Sequence, residues 1–326
     1  MKNEKFTVGI DVSKDTLDVY YNTLDGKEVY LKVSNDAKGH EKLLKTIGRD
    51  HWYVMETSGP YYLRLAFFLN EHGVKVSAEN ALQVKRYIQM HNERNKTDRK
   101  DARWIWHYSQ HRETKPWRVP SKEQIESQQL LKGLELLSRQ KTMLSNQLHS
   151  LKVVPFQDKV LLKSISKLIS QVEIQIKKLE QELDAKLKSW APEELENLRS
   201  IPGLGKRATA LLIVFTDGFK KVDNYRQLIS LAGLSPKIFT SGTSVRGKVR
   251  ICKMGGGSLR NILYMCSMSA IKCNLACKNL YERLRAKGKN GKVALIAVCN
   301  KLLKQAFAIA KSGTKYEAAY FSAAVK

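Results

Sequence analysis

Phe6, Val8, Ile10 and Val12 alternate with Thr7, Gly9 and Asp11. A period of two predicts a strand with one apolar face and one polar face. A second short apolar run, residues 17–21, follows Ser13-Lys14-Asp15. Asp25-Gly26 is hairpin-turn chemistry and leads into a third run, residues 28–33. The spacing next predicts a helix over residues 39–47. A strand over residues 52–56 is closed by Thr57-Ser58-Gly59-Pro60. Residues 61–71 read as a helix with Gly73 as its C′ glycine, and residues 74–78 as a fifth strand. More helix follows, including one that begins near Asp98. Residues 1–118 are therefore expected to be α/β. Three strands followed by alternating helix and strand is the order of a ribonuclease-H-like fold, one of several α/β options that fit this pattern.

The pattern changes over residues 119–190. Leu130, Leu134, Leu137, Leu144, Leu148 and Leu151 keep a 4-3 step, with Lys141 in one core slot. Beyond Pro155 a second series runs Leu162, Ile165, Ile169, Val172, Ile176, Leu179, Leu183. These heptads, broken at Val154-Pro155, predict two helices folded back as an antiparallel hairpin. It is either a two-helix bundle packed on its own chain or an arm that pairs with a second protomer. Residues 191–326 are expected to be almost wholly helical. Ala191-Pro192-Glu193-Glu194 makes a good helix start, with acids at the positive end of the dipole.

Charge narrows the function classes. The chain has 326 residues, 57 Lys and Arg against 31 Asp and Glu, and a formal net charge of +26. At 43% hydrophobic it can bury a core, so wholesale disorder is excluded. The excess of cations points to a polyanion, nucleic acid before an anionic membrane surface. The N-terminus resembles no secretory signal, and no uncharged stretch reaches the roughly 18 residues that span a bilayer. The expected location is the cytoplasm. The five cysteines, Cys252, Cys266, Cys273, Cys277 and Cys299, are odd in number and fit a reducing compartment. Cys273 and Cys277 share a helix spacing, but further zinc ligands at matching spacing are missing; small buried thiols are expected.

Three constellations carry chemistry. The first is acidic. Asp11 points away from the face of Ile10 and Val12, Glu56 ends another strand, and Asp98 and Asp101 are three apart at a helix start. Gly9 leaves room above the sheet on the side of Asp11. Converging carboxylates repel one another, and hard divalent cations with oxygen ligands relieve that repulsion. Two such ions can serve a phosphodiester displacement. Asp98 is ambiguous, because Thr97-Asp98 would also cap a helix. Lys85, Arg86, Arg94, Lys96, Arg99, Lys100 and Arg103 crowd the same region and suit phosphate. Trp104 and Trp106 cannot both face one core, so one is expected to be free for a base or another domain.

The second is Ile201-Pro202-Gly203-Leu204-Gly205, followed by Lys206 and Arg207, a helix–hairpin–helix pattern. Its glycines permit a tight turn whose N–H groups hold phosphate; a plain turn between core helices is the alternative. The third is the polar segment Phe239-Thr240-Ser241-Gly242-Thr243-Ser244-Val245-Arg246-Gly247, with Lys248, Arg250, Lys253 and Arg260 close behind. It reads as a flexible loop between helical stretches. A serine there is a candidate nucleophile, and composition does not choose between Ser241 and Ser244.

These residues resemble a known family. Gly9-Ile10-Asp11-Val12-Ser13-Lys14, Met55-Glu56-Thr57-Ser58-Gly59 and Lys96-Thr97-Asp98-Arg99-Lys100-Asp101-Ala102 are similar to the acidic motifs of DEDD insertion-sequence transposases. Ile201-Pro202-Gly203-Leu204-Gly205, Ala232-Gly233-Leu234-Ser235-Pro236, Ser241-Gly242-Thr243-Ser244 and the stretch from Lys253 to Arg260 continue the likeness in order. It is weakest between residues 119 and 190. The resemblance implies an RNase H/RuvC-like N-terminal domain (1–118), an antiparallel coiled-coil arm (119–190) and a helical C-terminal transposase domain (191–326). It implies that Asp11, Glu56, Asp98 and Asp101 bind metal, Mg²⁺ or Mn²⁺, with two ions per site, and that Ser241 is the nucleophile. It further implies a structured noncoding bridge RNA as guide, donor and target double-stranded DNA as substrates, and assembly as dimers and tetramers, with a site completed between protomers. No membrane partner is expected. The expected function is RNA-guided cutting and rejoining of DNA by transesterification. A structure-selective nuclease acting by hydrolysis and a catalytically idle nucleic-acid-binding protein are the alternatives.

Overall fold

The structure, a computed structural model, describes residues 6–23, 25–93, 97–247 and 249–318, with backbone alone at Val245 and Arg246. The chain divides into two compact units, Met1–Val119 and Pro120–Lys326.

In the first unit the alternating segments become β1 (Thr7–Val12), β2 (Thr16–Asn22) and β3 (Glu28–Ser34). The turn between β2 and β3 uses Gly26 at φ +80°, a region that favours glycine. Then follow α1 (Ala37–Ile47), β4 (Trp52–Glu56), α2 (Tyr62–Glu71), β5 (Val76–Glu79), α3 (Ala81–Met90) and α4 (Asp98–His111). The sheet has the order β3-β2-β1-β4-β5, antiparallel through β1 and parallel from β1 to β5. This is the ribonuclease-H-like arrangement that the element order allowed. The fifth strand begins two residues later than expected, at Val76, because Val74 belongs to the turn after Gly73.

The two faces of the sheet differ as the alternation dictates. Val8, Ile10 and Val12 join Leu17 and Val19 in a core with Leu43 and Ile47 of α1 and Leu65 and Leu69 of α2. The opposite face packs against α4, where the Thr7 and Ser109 hydroxyls hydrogen-bond at 2.6 Å.

The second unit opens with α5 (Lys122–Val153) and α6 (Lys159–Trp190), which pack antiparallel. Lys186 pairs with Glu126 at 2.6 Å, and the seam lysine, Lys141, pairs with Glu173 at 2.8 Å. The charge in the heptad is thus matched across the hairpin. Leu134, Leu183 and Leu187 continue into the helical core of the same unit. That core holds α7 (Pro192–Arg199), α8 (Lys206–Thr216), α9 (Tyr225–Leu231), α10 (Gly257–Cys273), α11 (Leu275–Ala286) and α12 (Gly291–Ser312). By length and composition α12 is apolar enough to cross a membrane, yet Val298, Leu302, Leu303 and Ala306 lie at the centre of this core.

One expectation needs correcting. Residues 236–251 are not a plain loop between helices. They form two short antiparallel ladders, β6 (Pro236–Lys237) with β9 (Arg250–Ile251), and β7 (Thr240–Ser241) with β8 (Val245–Arg246). Two-residue strands have no hydrophobic period to detect, and their glycines and hydroxyls read as loop chemistry.

Candidate active site

β1 sets Asp11 on the polar face, and pairing sets its neighbours. Ile10 pairs with Met55 in parallel β4, so Asp11 and Glu56 end adjacent strands side by side. In antiparallel β2 the residue opposite Asp11 is Asp18. The turn after β1 is held by Asn35, whose amide donates to the Ser13 carbonyl at 2.8 Å.

Helix α4 brings the other two acids. A Cβ at Gly9 would lie 2.3 Å from the Trp106 nitrogen and 2.4 Å from the Ala102 oxygen, so only glycine lets this helix lie directly on β1. The room expected above Gly9 is filled by α4 itself. The cap ambiguity also resolves: the Thr97 hydroxyl accepts from the Lys100 N–H at 3.3 Å. Asp98 occupies the first helical position, 67% exposed, and its carboxylate does no capping.

The electrostatics join these groups. Asp11 is pushed from 3.8 up to about 7, first by burial, then by the negative charges of Asp101, Glu56, Asp98 and Asp18. Five carboxyls thus share one field. Among the described residues no three or more His, Cys, Asp or Glu side chains close around a common point as a metal cage. The donor set is nonetheless all oxygen and strongly self-repelling, which suits a hard divalent cation.

Sequence reasoning missed Asp18. It is 2% exposed, accepts a hydrogen bond from the Tyr30 hydroxyl and lies 3.4 Å from the Lys32 ammonium. The signal was present: Leu17, Val19 and Tyr21 alternate with it, so an antiparallel hairpin puts Asp18 on the face of Asp11.

The surrounding cations are partly engaged. Lys100 pairs with Glu93 at 3.0 Å and Arg103 with Glu28 at 3.1 Å. Arg99 lies over the Tyr30 ring at 5.1 Å, and Lys85 and Arg86 are exposed on α3. Arg94, Lys96 and Lys248 lie outside the described residues. Neither tryptophan is free as expected. Trp104 stacks on His91 with centroids 4.9 Å apart, and Trp106 packs on Tyr20 at 5.5 Å.

In the second unit, Gly203 adopts φ +92°, and a Cβ there would meet the Ala270 backbone at 2.6 Å. Its role is close packing on α10. Gly205 is the N-cap of α8, open to its surroundings, with Lys206 exposed beside it. Arg207 instead donates to the Leu134 carbonyl at 3.2 Å and the Ser138 hydroxyl at 2.9 Å, fastening α8 to α5. Arg260 similarly braces the Ala232 carbonyl at 3.1 Å. Arg250 is exposed on β9, and Lys253 bonds through its N–H to the Gly233 carbonyl at 3.0 Å. Ser241 is exposed on β7 opposite Val245, whereas Ser244 sits in the turn; Gly242 takes φ +54°. Arg246 forms β8 with its backbone. Burial pushes the Cys277 thiol up to about 12 and Cys299 up to about 11, as inert core thiols require, whereas Cys273 is exposed and not buried as expected.

Residues 8–152 match the DEDD-type transposase family model of the IS110 kind, described as "Transposase", and residues 195–282 match "Transposase IS116/IS110/IS902 family". The chain is 28% identical to the pilin gene-inverting protein of Moraxella lacunata, over 96% of this chain and 98% of that one. It is 27% identical to the pilin gene-inverting protein of Moraxella bovis over the same shares. A shorter likeness, 28% over 48% of this chain and 38% of the other, links it to an insertion element IS110 uncharacterized protein of Streptomyces coelicolor.

Sheet, acids and family matches together define an enzyme that acts on DNA, of the transposase and recombinase class. The chain belongs to the IS110-type transposases, with the N-terminal and C-terminal models of that family matched in order. The DEDD-type domain implies dependence on a divalent metal.

Proposed function

We propose that this protein is an RNA-guided DNA recombinase that moves its own insertion element, cutting and rejoining donor and target DNA through Ser241. The observation that carries the reading is the group of carboxyls around Asp11, a residue that burial first and their negative charge second raise to about 7 within a DEDD-type transposase domain. Asp11, Glu56, Asp98 and Asp101 would hold two divalent cations, Mg²⁺ or Mn²⁺. Bound there, the ions would offset phosphate charge and favour the ionised form of an attacking hydroxyl.

The Ser241 oxygen attacks the phosphorus, a Ser–O–P bond forms, and the bond to one deoxyribose oxygen breaks. The serine proton leaves to solvent and the departing sugar oxygen takes one up. The phosphodiester energy is kept, so the strand is rejoined by the reverse attack without ATP. Exposure of Ser241 on a hairpin supports this role. Inversion of a DNA segment uses the same cut-and-rejoin steps, in keeping with the likeness to pilin gene-inverting proteins.

The parts 1–118, 119–190 and 191–326 then divide the work among acid site, coiled-coil arm and serine domain. A structured bridge RNA supplies sequence choice by pairing, and a net charge of +26 supplies the grip on phosphate. Met143, Val153, Phe156 and Val160 are exposed toward the far end of the helix pair, between 71% and 95%, which supports pairing with a second copy in dimers and tetramers. The protein works in the cytoplasm at the nucleoid.

A second reading is hydrolysis by a structure-selective nuclease. It is favoured by one fact: all four acids lie in the first compact unit and Ser241 in the second. Ser241→Ala separates the two on purified protein, guide RNA and DNA. Loss of the covalent protein–DNA adduct and of strand exchange, with Asp11→Ala equally inactive, is the outcome expected. Cutting that survives Ser241→Ala but not Asp11→Ala would establish the hydrolytic enzyme instead. Strand exchange at an unchanged target after the RNA is digested would remove the guide from the account.

A further inference from the structure

Lys32 stands at the edge of the acid cluster without a role in the chemistry above. It projects from β3 directly opposite Asp18 of β2. Its ammonium lies 3.4 Å from one Asp18 oxygen and 3.9 Å from an Asp98 oxygen. Asp18 is 2% exposed, and its other oxygen accepts from the Tyr30 hydroxyl. Lys32 itself is 48% exposed. A buried carboxylate needs a counter-charge, so Asp18 tethers the ammonium where it also reaches Asp98. A lysine suits this place because its charge is compact and its stem flexible.

We propose that Lys32 is the resident counter-cation of the acid cluster, bridging Asp18 and Asp98 and setting the threshold at which a divalent cation displaces it. The inference rests on the reading of Asp11, Glu56, Asp98 and Asp101 as metal ligands. Lys32 is a positioning residue: it holds the first turn of α4 by charge and opposes an incoming dication by like charge. A lysine that merely braced the hairpin would stabilise the fold and leave metal affinity alone.

The test is Mn²⁺ binding to the full chain, by calorimetry, for wild type, Lys32→Met, Lys32→Arg, Asp18→Asn and Asp11→Ala. Because Lys32→Met strands a buried carboxylate, the double variant Asp18→Asn/Lys32→Met serves as the folding control. Lys32→Met relative to wild type, and the double variant relative to Asp18→Asn alone, are expected to bind Mn²⁺ roughly fivefold more tightly, the scale of one partly exposed charge pair. Lys32→Arg is expected to stay near wild type. The Mg²⁺ concentration for half-maximal DNA cutting should fall in the same proportion. Unchanged or weaker Mn²⁺ binding by the double variant relative to Asp18→Asn, with Asp11→Ala unable to bind, overturns the role of Lys32 and leaves the acid site standing. Equal Mn²⁺ binding by wild type and Asp11→Ala overturns the metal reading, and the inference falls with it.

Discussion

At the residue scale, Asp11 is where burial and like charge act on one group. Its carboxyl sits at about 7 rather than 3.8. A carboxyl raised in the fold stabilises that fold while protonated, fully below 3.8, and the contribution is lost as pH rises through about 7. In EDTA, wild type is therefore expected to lose thermal stability relative to Asp11→Asn across that interval. The variant should melt about 2–5 °C higher at the alkaline end, with the gap closing toward acid. Saturating Mg²⁺ should reverse the order, because it stabilises only the chain that binds it. Circular dichroism melts check this, and parallel curves for the two proteins would refute it. Asp11 and its face were legible in the sequence, because alternation fixes which side of a strand a residue takes. Asp18 was equally available from alternation, but its importance appears only when the hairpin register sets it opposite Asp11.

At the element scale, α4 combines three local devices: the Thr97 cap, acids three apart in its first turn, and a backbone that rests on Gly9. The cap and the acid spacing are sequence features. The resting place is not, since residue 9 and residues 102–106 meet only through the packing of helix on sheet. The helix pair α5 and α6 gives the converse case. The heptad predicted the antiparallel fold-back, and Lys141 in its seam proves matched by Glu173. Gly133 lies inside α5, where glycine weakens a helix, and a Cβ there would meet Leu179 at an ordinary 3.6 Å. Gly133→Ala should therefore stabilise the second unit by about 0.5–1 kcal/mol, visible as a higher melting temperature. A lower one would mean that the helices approach more closely than this geometry allows. The ladders of residues 236–251 escaped the sequence because each strand has two residues and pairs across a gap.

At the scale of the whole molecule, charge and partition dominate. Each unit has its own hydrophobic core, and the family match runs through both while leaving residues 153–194 unmatched. That gap holds α6, where a heptad constrains the face and leaves the outer residues open. An excess of 26 positive charges predicts binding governed by counterion release. Affinity for a DNA duplex without guide RNA should fall about 10³-fold between roughly 50 and 200 mM salt, measured by fluorescence anisotropy. A shallow salt dependence would mean that few of these cations touch phosphate.

Taken alone, the sequence determined the faces of the strands, the two long helices, the polyanionic partner and the acidic and serine motifs. Each of these is written in periods, charges or short runs of neighbouring residues. Only the tertiary structure decided that Asp18 and Lys32 join the acids, that both tryptophans are already packed, and that Arg207 and Arg260 brace their own unit. The reason is physical: periodicity fixes direction, whereas the distance between residues far apart in the chain is set by strand register and by how closely backbones pack.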